Sequence, residues 1–348
     1  MNEAPSSPQP SAPIPPQYPV PNQFPQPPIS SSIPPHKSHV AMIVTIFLII
    51  FVGLPLAFGA YVLTNRAQFK DFFGAFSTTS QSSSAISDYT SADQINAKLA
   101  SNEYFNLKAP ALTCGPADSL YASNQQEWAK GWITCLEQTW KPVVDASTYK
   151  DTSGATKHNS YYSIQAIYFV DTFAEGIEKT GCSSSTASSA TNNTAIAAYC
   201  RSSSTIFVLS KTSGYTLDEN LATIFHEYTH HLQLNFGISL DSDALMRFMY
   251  QDYPNQPITL EAALTLQHNR RETNAECSSL IMMQQANRLT TSDGTTWLSY
   301  YTAPTQEMIQ GGYGTVAQRK EFVSTIKGSA SPSMQTCNTW KLADSEIQ

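Results

Sequence analysis

The 348-residue chain carries a net charge of −7 and no basic run in its larger C-terminal part, a balance that argues against nucleic acid as a partner. No internal repeat is apparent, which sets aside a repeat array. Composition is instead sharply uneven along the chain.

The first 36 residues hold 13 of the 21 prolines and one charged side chain, Glu3. Such a stretch builds no core. Residues 1–38 are expected to form a disordered, partly polyproline II arm, a candidate docking site for a proline-recognising partner. From Val40 to Leu63 run 24 residues without a charge. At about 1.5 Å per residue they make about 36 Å of helix, enough to cross a bilayer with some tilt. The run is long for a cleaved signal, so residues 39–64 are expected to be a single membrane-spanning helix. Lys37 on one flank, with Arg66 and Lys70 on the other, means that flanking charge does not fix the orientation. All six cysteines follow the segment, as expected if the larger part folds in an oxidising space. The N-terminus is therefore placed in the cytoplasm and the C-terminal domain outside the cell membrane. Residues 65–91 read as a polar stalk, with ten Ser or Thr between Ser77 and Ser91.

Residues 92–348 suffice for one α+β domain or two closely packed lobes. Trp128, Trp132, Leu136 and Trp140 step by four, which predicts a helix near residues 120–140 with an aromatic stripe turned to the core. Tyr162–Val170 and Thr205–Leu209 are rich in β-branched and aromatic residues and predict strands. A disulfide joining Cys182 to Cys200 would close a Ser-, Thr- and Asn-rich loop and add about 3 kcal/mol in the chain-entropy model. Spacing alone leaves the connectivity open. Pairing in chain order is the expectation taken: Cys114 with Cys135, Cys182 with Cys200, Cys277 with Cys337. Thr216 and Glu219 form a capping-box pattern, and Gly237 stands where a left-handed cap would end the helix between them. Leu217, Leu221, Ile224, Phe225, Tyr228, Leu232 and Phe236 give that helix an apolar stripe. A second long helix is expected from Glu261 to about Arg288.

On the first of these helices His226, Glu227, Tyr228, Thr229 and His230 spell H-E-x-x-H. Positions i and i+4 share a helix face, so both imidazoles can address one zinc ion while Glu227 flanks the remaining coordination position. Unpaired, these groups would be costly to bury in so apolar a helix; a metal and its water satisfy them together. A catalytic zinc takes a third protein ligand. The second helix offers Glu272 and Glu276, one to bind and one to accept a hydrogen bond from a ligand histidine. His268, four residues before Glu272, would instead complete a three-histidine site. Each glutamate also reads as an exposed helix charge near Arg270 and Arg271.

The strings HEYTHHLQ (226–233) and ETNAEC (272–277) resemble the neutral zinc metallopeptidase family of bacterial membrane-anchored proteins, which has HE-x-x-HH-x-Q and then a segment of the form ELQADC. YGTVAQRKEF (313–322) with Cys337, and AYCRSSSTIFVL (198–209), are similar to later and earlier stretches of that family. The resemblance implies a zincin-like domain with a small sheet and long active-site helices, Zn2+ held by His226, His230 and Glu272, and Glu227 as the catalytic glutamate. Glu276 stands where the family has Asp, and Tyr313 where a His commonly precedes the glycine.

The expected activity is hydrolysis of a peptide or protein substrate, with Glu227 taking a proton from the attacking water and returning it to the leaving amine. Tyr313 and His231 are candidate donors to the transition state, weighed against a surface or packing role for each. The strand Thr205–Leu209 is a candidate for holding an extended peptide by strand addition. Two alternatives belong to other classes: a catalytically inactive zinc-containing binding module of the cell envelope, closed by a fourth ligand such as His268, and a tethered scaffold acting through the proline-rich arm.

Overall fold

The computed structural model describes residues 91–150, 155–182, 196–210, 215–252, 260–304 and 312–347. The proline-rich arm, the expected membrane segment and the stalk up to residue 90 lie outside them. No helix among the described residues is long and apolar enough to cross a membrane.

Helix α1 (Ala92–Ala100) begins at Ser91, whose hydroxyl accepts from the Gln94 N–H at 3.3 Å. A short α2 (Asp118–Ser123) leads to α3 (Gln125–Ala146), started by the Asn124 side chain. Along α3 the expected stripe is inside: Trp128, Trp132, Leu136 and Trp140 are all buried. An antiparallel pair follows, β1 (Thr148–Lys150) with β2 (Thr156–His158), then β3 (Ala166–Val170), α4 (Phe173–Thr180), β4 (Ala197–Cys200) and β5 (Thr205–Leu209). The three-stranded sheet has the order β3–β5–β4, with β5 parallel to β3 and antiparallel to β4.

The first predicted strand is shorter than expected, for a reason visible in its hydrogen bonds. The N–H groups of Tyr161, Tyr162 and Ile164 donate to the side chains of Asp145, Asn235 and Glu137 at 3.0, 2.7 and 2.6 Å. Helix side chains thus take the donors that a longer strand would need, and the ladder starts only at Ala166. The strand Thr205–Leu209 forms as expected, but in the middle of the sheet, with both flanks paired.

Helix α5 (Leu217–Asn235) carries the reciprocal capping box of Thr216 and Glu219, and Gly237 adopts φ +74° just past its end. That left-handed residue reverses the chain directly into α6 (Ile238–Asp252), a helix that no sequence pattern singled out. The remaining helices are α7 (Leu260–Gln285), α8 (Ser292–Thr302), α9 (Val316–Ile326) and α10 (Asp344–Ile347). Mixed helix with small sheets makes the architecture α+β.

The most extensive helix–helix contact joins α5 to α7, and the main core cluster runs from Trp128 and Trp140 of α3 through Leu221, Phe225 and Leu232 of α5 to Leu280 and Ile281 of α7. The three disulfides pair in chain order, with Cα–Cα separations of 5.2, 5.4 and 5.4 Å. Buried Arg270 of α7 clasps the C-terminal segment through the carbonyls of Thr339 and Leu342 and the carboxylate of Asp344. Removing one tryptophan from the α3 stripe tests how much the domain depends on it. Trp128→Ala is expected to cost about 3–5 kcal/mol, read as a lower urea midpoint with helical circular dichroism retained before the transition.

Candidate metal centre

Nearly every face of α5 is covered; of its residues only Leu217, Thr223, His230 and Leu234 are partly open. The opening at His230 is where the first helix meets Glu272 of α7. The Nε2 atoms of His226 and His230 lie 3.1 Å apart. Glu272 Oε2 completes a triangle with them, at 3.2 Å from His226 and 3.4 Å from His230. Ligands about 2.0–2.1 Å from a tetrahedral zinc stand about 3.3 Å from one another, so the three donor atoms have the spacing of one face of such a site. These same three residues are the His, Cys, Asp or Glu group among the described residues whose donor atoms gather closely enough for a metal ion.

The tautomer of His230 follows from a chain of amides. Asn274 Nδ2 donates to the Cys337 carbonyl at 2.8 Å, so its Oδ1 faces Gln233 Nε2, also at 2.8 Å. Gln233 Nε2 donates to the Arg271 carbonyl as well, at 3.0 Å, which leaves Gln233 Oε1 facing His230 Nδ1 at 3.0 Å. An amide oxygen can only accept, so Nδ1 carries the proton and Nε2 presents its lone pair to His226 and Glu272. Lone pairs converging in this way repel unless a cation or a proton sits among them. Burial opposes a charge on His226, yet Glu272, Glu227 and Glu276 together hold its imidazole up to about 9. Burial likewise opposes ionisation of Glu272, but His230, His226 and His268 keep its carboxyl well below the usual carboxylate range. Proton and metal ion therefore compete for one place.

Glu227, next to His226 on the helix, is 7% exposed. Burial raises its carboxyl, while His226, His230 and the backbone N–H of Tyr199 in β4 pull it back down. The ladder bond from Leu209 N–H to the Ile196 carbonyl puts the paired backbone groups of β4 at alternate residues, so those of Ala197 and Tyr199 point away from β5. The outer edge of the sheet thus borders the metal cluster. The edge strand is Ala197–Cys200, not Thr205–Leu209, which is bonded on both sides and has no edge to offer.

The other residues singled out by sequence take different places. His268 stands on the far side of Glu272, its Nδ1 3.7 Å from Oε1, so the glutamate and not the histidine meets the α5 pair. Glu276 approaches Arg319 of α9 at 3.6 Å and hydrogen-bonds neither ligand histidine; the partner of His230 is Gln233. Tyr313 does reach the cluster, with its ring 5.8 Å from that of His226. Burial, then Glu272, Glu276 and Glu227, push its phenol up.

His231 points elsewhere. Its ring is fully buried among Tyr161, Tyr199 and Tyr228. Tyr162 N–H occupies Asn235 Oδ1, so the Asn235 amide donates to His231 Nε2 at 3.0 Å, and Nδ1–H donates to the Tyr199 hydroxyl at 3.0 Å. This residue ties α5 to β4 and is not placed to reach a substrate. Sequence reasoning missed Gln233 and Asn274 as supports, although both lie inside the 226–233 and 272–277 strings and Gln233 sits three residues after His230. Comparison of the chain with protein-family models, curated proteins and solved structures returned no match.

Two outcomes follow from these contacts. Gln233→Ala removes the acceptor that sets the His230 tautomer and is expected to weaken zinc affinity about 10–100-fold, measured by competition against a chromophoric chelator. Burial lowers the His231 pKa to about 4, so the unfolded chain binds the extra proton first as pH falls. Stability supplied by the neutral ring is complete above about pH 6.5 and is lost toward pH 4, an effect of roughly 3 kcal/mol at most. The difference between urea midpoints at pH 7 and pH 4.5 should shrink in His231→Gln.

Proposed function

We propose that the chain is a membrane-anchored zinc peptidase whose catalytic domain lies outside the cytoplasm. The observation that carries this reading is the triangle of His226, His230 and Glu272 donors, 3.1–3.4 Å on edge, with a buried carboxylate beside it and a sheet edge above. A helix bearing H-E-x-x-H, a third ligand from a neighbouring helix and a bordering edge strand together compose a zincin-like arrangement. The resemblance of the 226–233 and 272–277 strings to neutral zinc metallopeptidases supports the same conclusion. So does the uncharged run at residues 40–63 for the anchor.

A zinc ion bound there would acidify a water toward neutral pH and polarise a carbonyl. Glu227 takes the proton of the attacking water on its carboxylate and delivers it to the amine nitrogen as the peptide bond breaks. His230 keeps one tautomer through Gln233. The outward backbone groups of β4 suit a substrate lying extended along the sheet edge. What favours an enzyme over an inert zinc module is Glu227: a structural site needs no base beside it, and His268 stands outside the donor triangle.

The test is hydrolysis of an unbiased peptide library by the purified protein with and without chelator. Cleavage that chelator abolishes and zinc restores is expected. Glu227→Gln should keep one zinc per chain while turnover drops by about 10²–10⁴-fold. A variant that cleaves at the parent rate would remove Glu227 from the mechanism, and a zinc-replete parent that cleaves nothing would leave the inert module.

A further inference from the structure

Beyond the metal cluster, the most elaborately fixed stretch of backbone near it is Gly312–Tyr313–Gly314. Both glycines have φ +85°, a region that side chains rarely enter. Each is also pressed against α7. A Cβ on Gly312 would lie 2.3 Å from Asn269 Oδ1 and 3.0 Å from the Asn269 Cα, and one on Gly314 would lie 3.2 Å from Thr273 Cγ2. The carbonyls are held as well. Thr273 Oγ1 donates to that of Gly312 at 2.9 Å, and Arg319 Nε to that of Tyr313 at 2.8 Å. Arg319 is 1% exposed. It is pinned in turn by the Tyr301 carbonyl at 3.2 Å, by the face of the Tyr301 ring at 4.7 Å and by Glu276 at 3.6 Å. A buried arginine, two glycines in the left-handed region and a threonine thus fix the main chain of one tyrosine.

We propose that Tyr313 is a catalytic residue, its hydroxyl donating a hydrogen bond to the substrate carbonyl oxygen as negative charge develops there. The inference rests on the peptidase reading and adds a participant to it. The Tyr313 ring stands 5.8 Å from that of His226, and its phenol lies in the field of Glu272, Glu276 and Glu227. A developing oxyanion in that surrounding needs a neutral or cationic donor. The other candidates are turned away: His231 bonds Tyr199 and Asn235, His268 lies beyond Glu272, and Arg319 is committed to two carbonyls and Glu276. Pinning the backbone while leaving the ring beside that of His226 is the preorganisation that transition-state donors require.

Tyr313→Phe keeps the ring and removes only the hydroxyl. In the zinc-loaded full chain it is expected to lower kcat about 100-fold with KM and zinc content unchanged. A readout independent of turnover uses two inhibitors, a phosphinic peptide with an anionic oxygen in place of the carbonyl oxygen and a peptide thiol without one. Tyr313→Phe should bind the phosphinic peptide at least tenfold more weakly and the thiol equally well, measured by calorimetry. Equal affinity of parent and variant for the phosphinic peptide would overturn the proposal. A parent that cleaves no peptide, yet shows the Tyr313-dependent difference, would refute the peptidase reading and leave the donor assignment standing.

Discussion

The hydrogen bond between His230 Nδ1 and Gln233 Oε1, 3.0 Å long, decides what the rest of the site can be. With the proton held on Nδ1, Nε2 has a lone pair and nowhere neutral to put it, because His226 and Glu272 already face the same point. The bond is not free to reverse. Gln233 is oriented by Asn274 and by the Arg271 carbonyl, and Asn274 by the Cys337 carbonyl. His230 on one helix is thereby aligned by groups from a second helix and from the C-terminal segment. Such outer contacts set ligand basicity and direction as much as the ligands themselves do.

Helix α7 serves both halves of this arrangement. Glu272 meets the histidines, Thr273 holds the Gly312 carbonyl, Asn274 passes orientation toward His230, Glu276 faces Arg319, and Cys277 carries the disulfide. Six consecutive residues fill more than one turn of the helix, and five of them have assigned partners. Substitutions here should therefore be less separable than their spacing along the chain suggests. Opposite α7, α5 is tied to β4 by the bond between His231 and the Tyr199 hydroxyl.

Much of this is legible in the chain. The i, i+4 histidines, the capping box at Thr216, the left-handed Gly237 and the buried tryptophan stripe are local patterns, and local patterns survive folding when nothing competes with them. Competition explains the rest. Glu272 and His268 sit four apart on one helix face, so periodicity cannot choose between them; the rotation of α7 against α5 does. Glu276 and His231 resemble site residues because charge and adjacency are the only signals, yet each is satisfied elsewhere, by Arg319 and by Asn235 with Tyr199. Thr205–Leu209 is recognisable as a strand but not as a central one, since neighbours in a sheet are set by tertiary pairing. The small strand that does border the site, Ala197–Cys200, has only four residues and too little pattern to stand out.

The Cys277–Cys337 bond spans 60 residues, and the carbonyl that ends the amide chain belongs to its distal half-cystine. His230 is thus oriented by a part of the polypeptide that is synthesised after both histidines. Before Cys337 has closed onto α7, both histidines are present but one lacks its alignment. Assembly of the centre in this sense waits on that later segment, and a nascent chain short of Cys337, or one clipped before it, would carry the motif without the finished site.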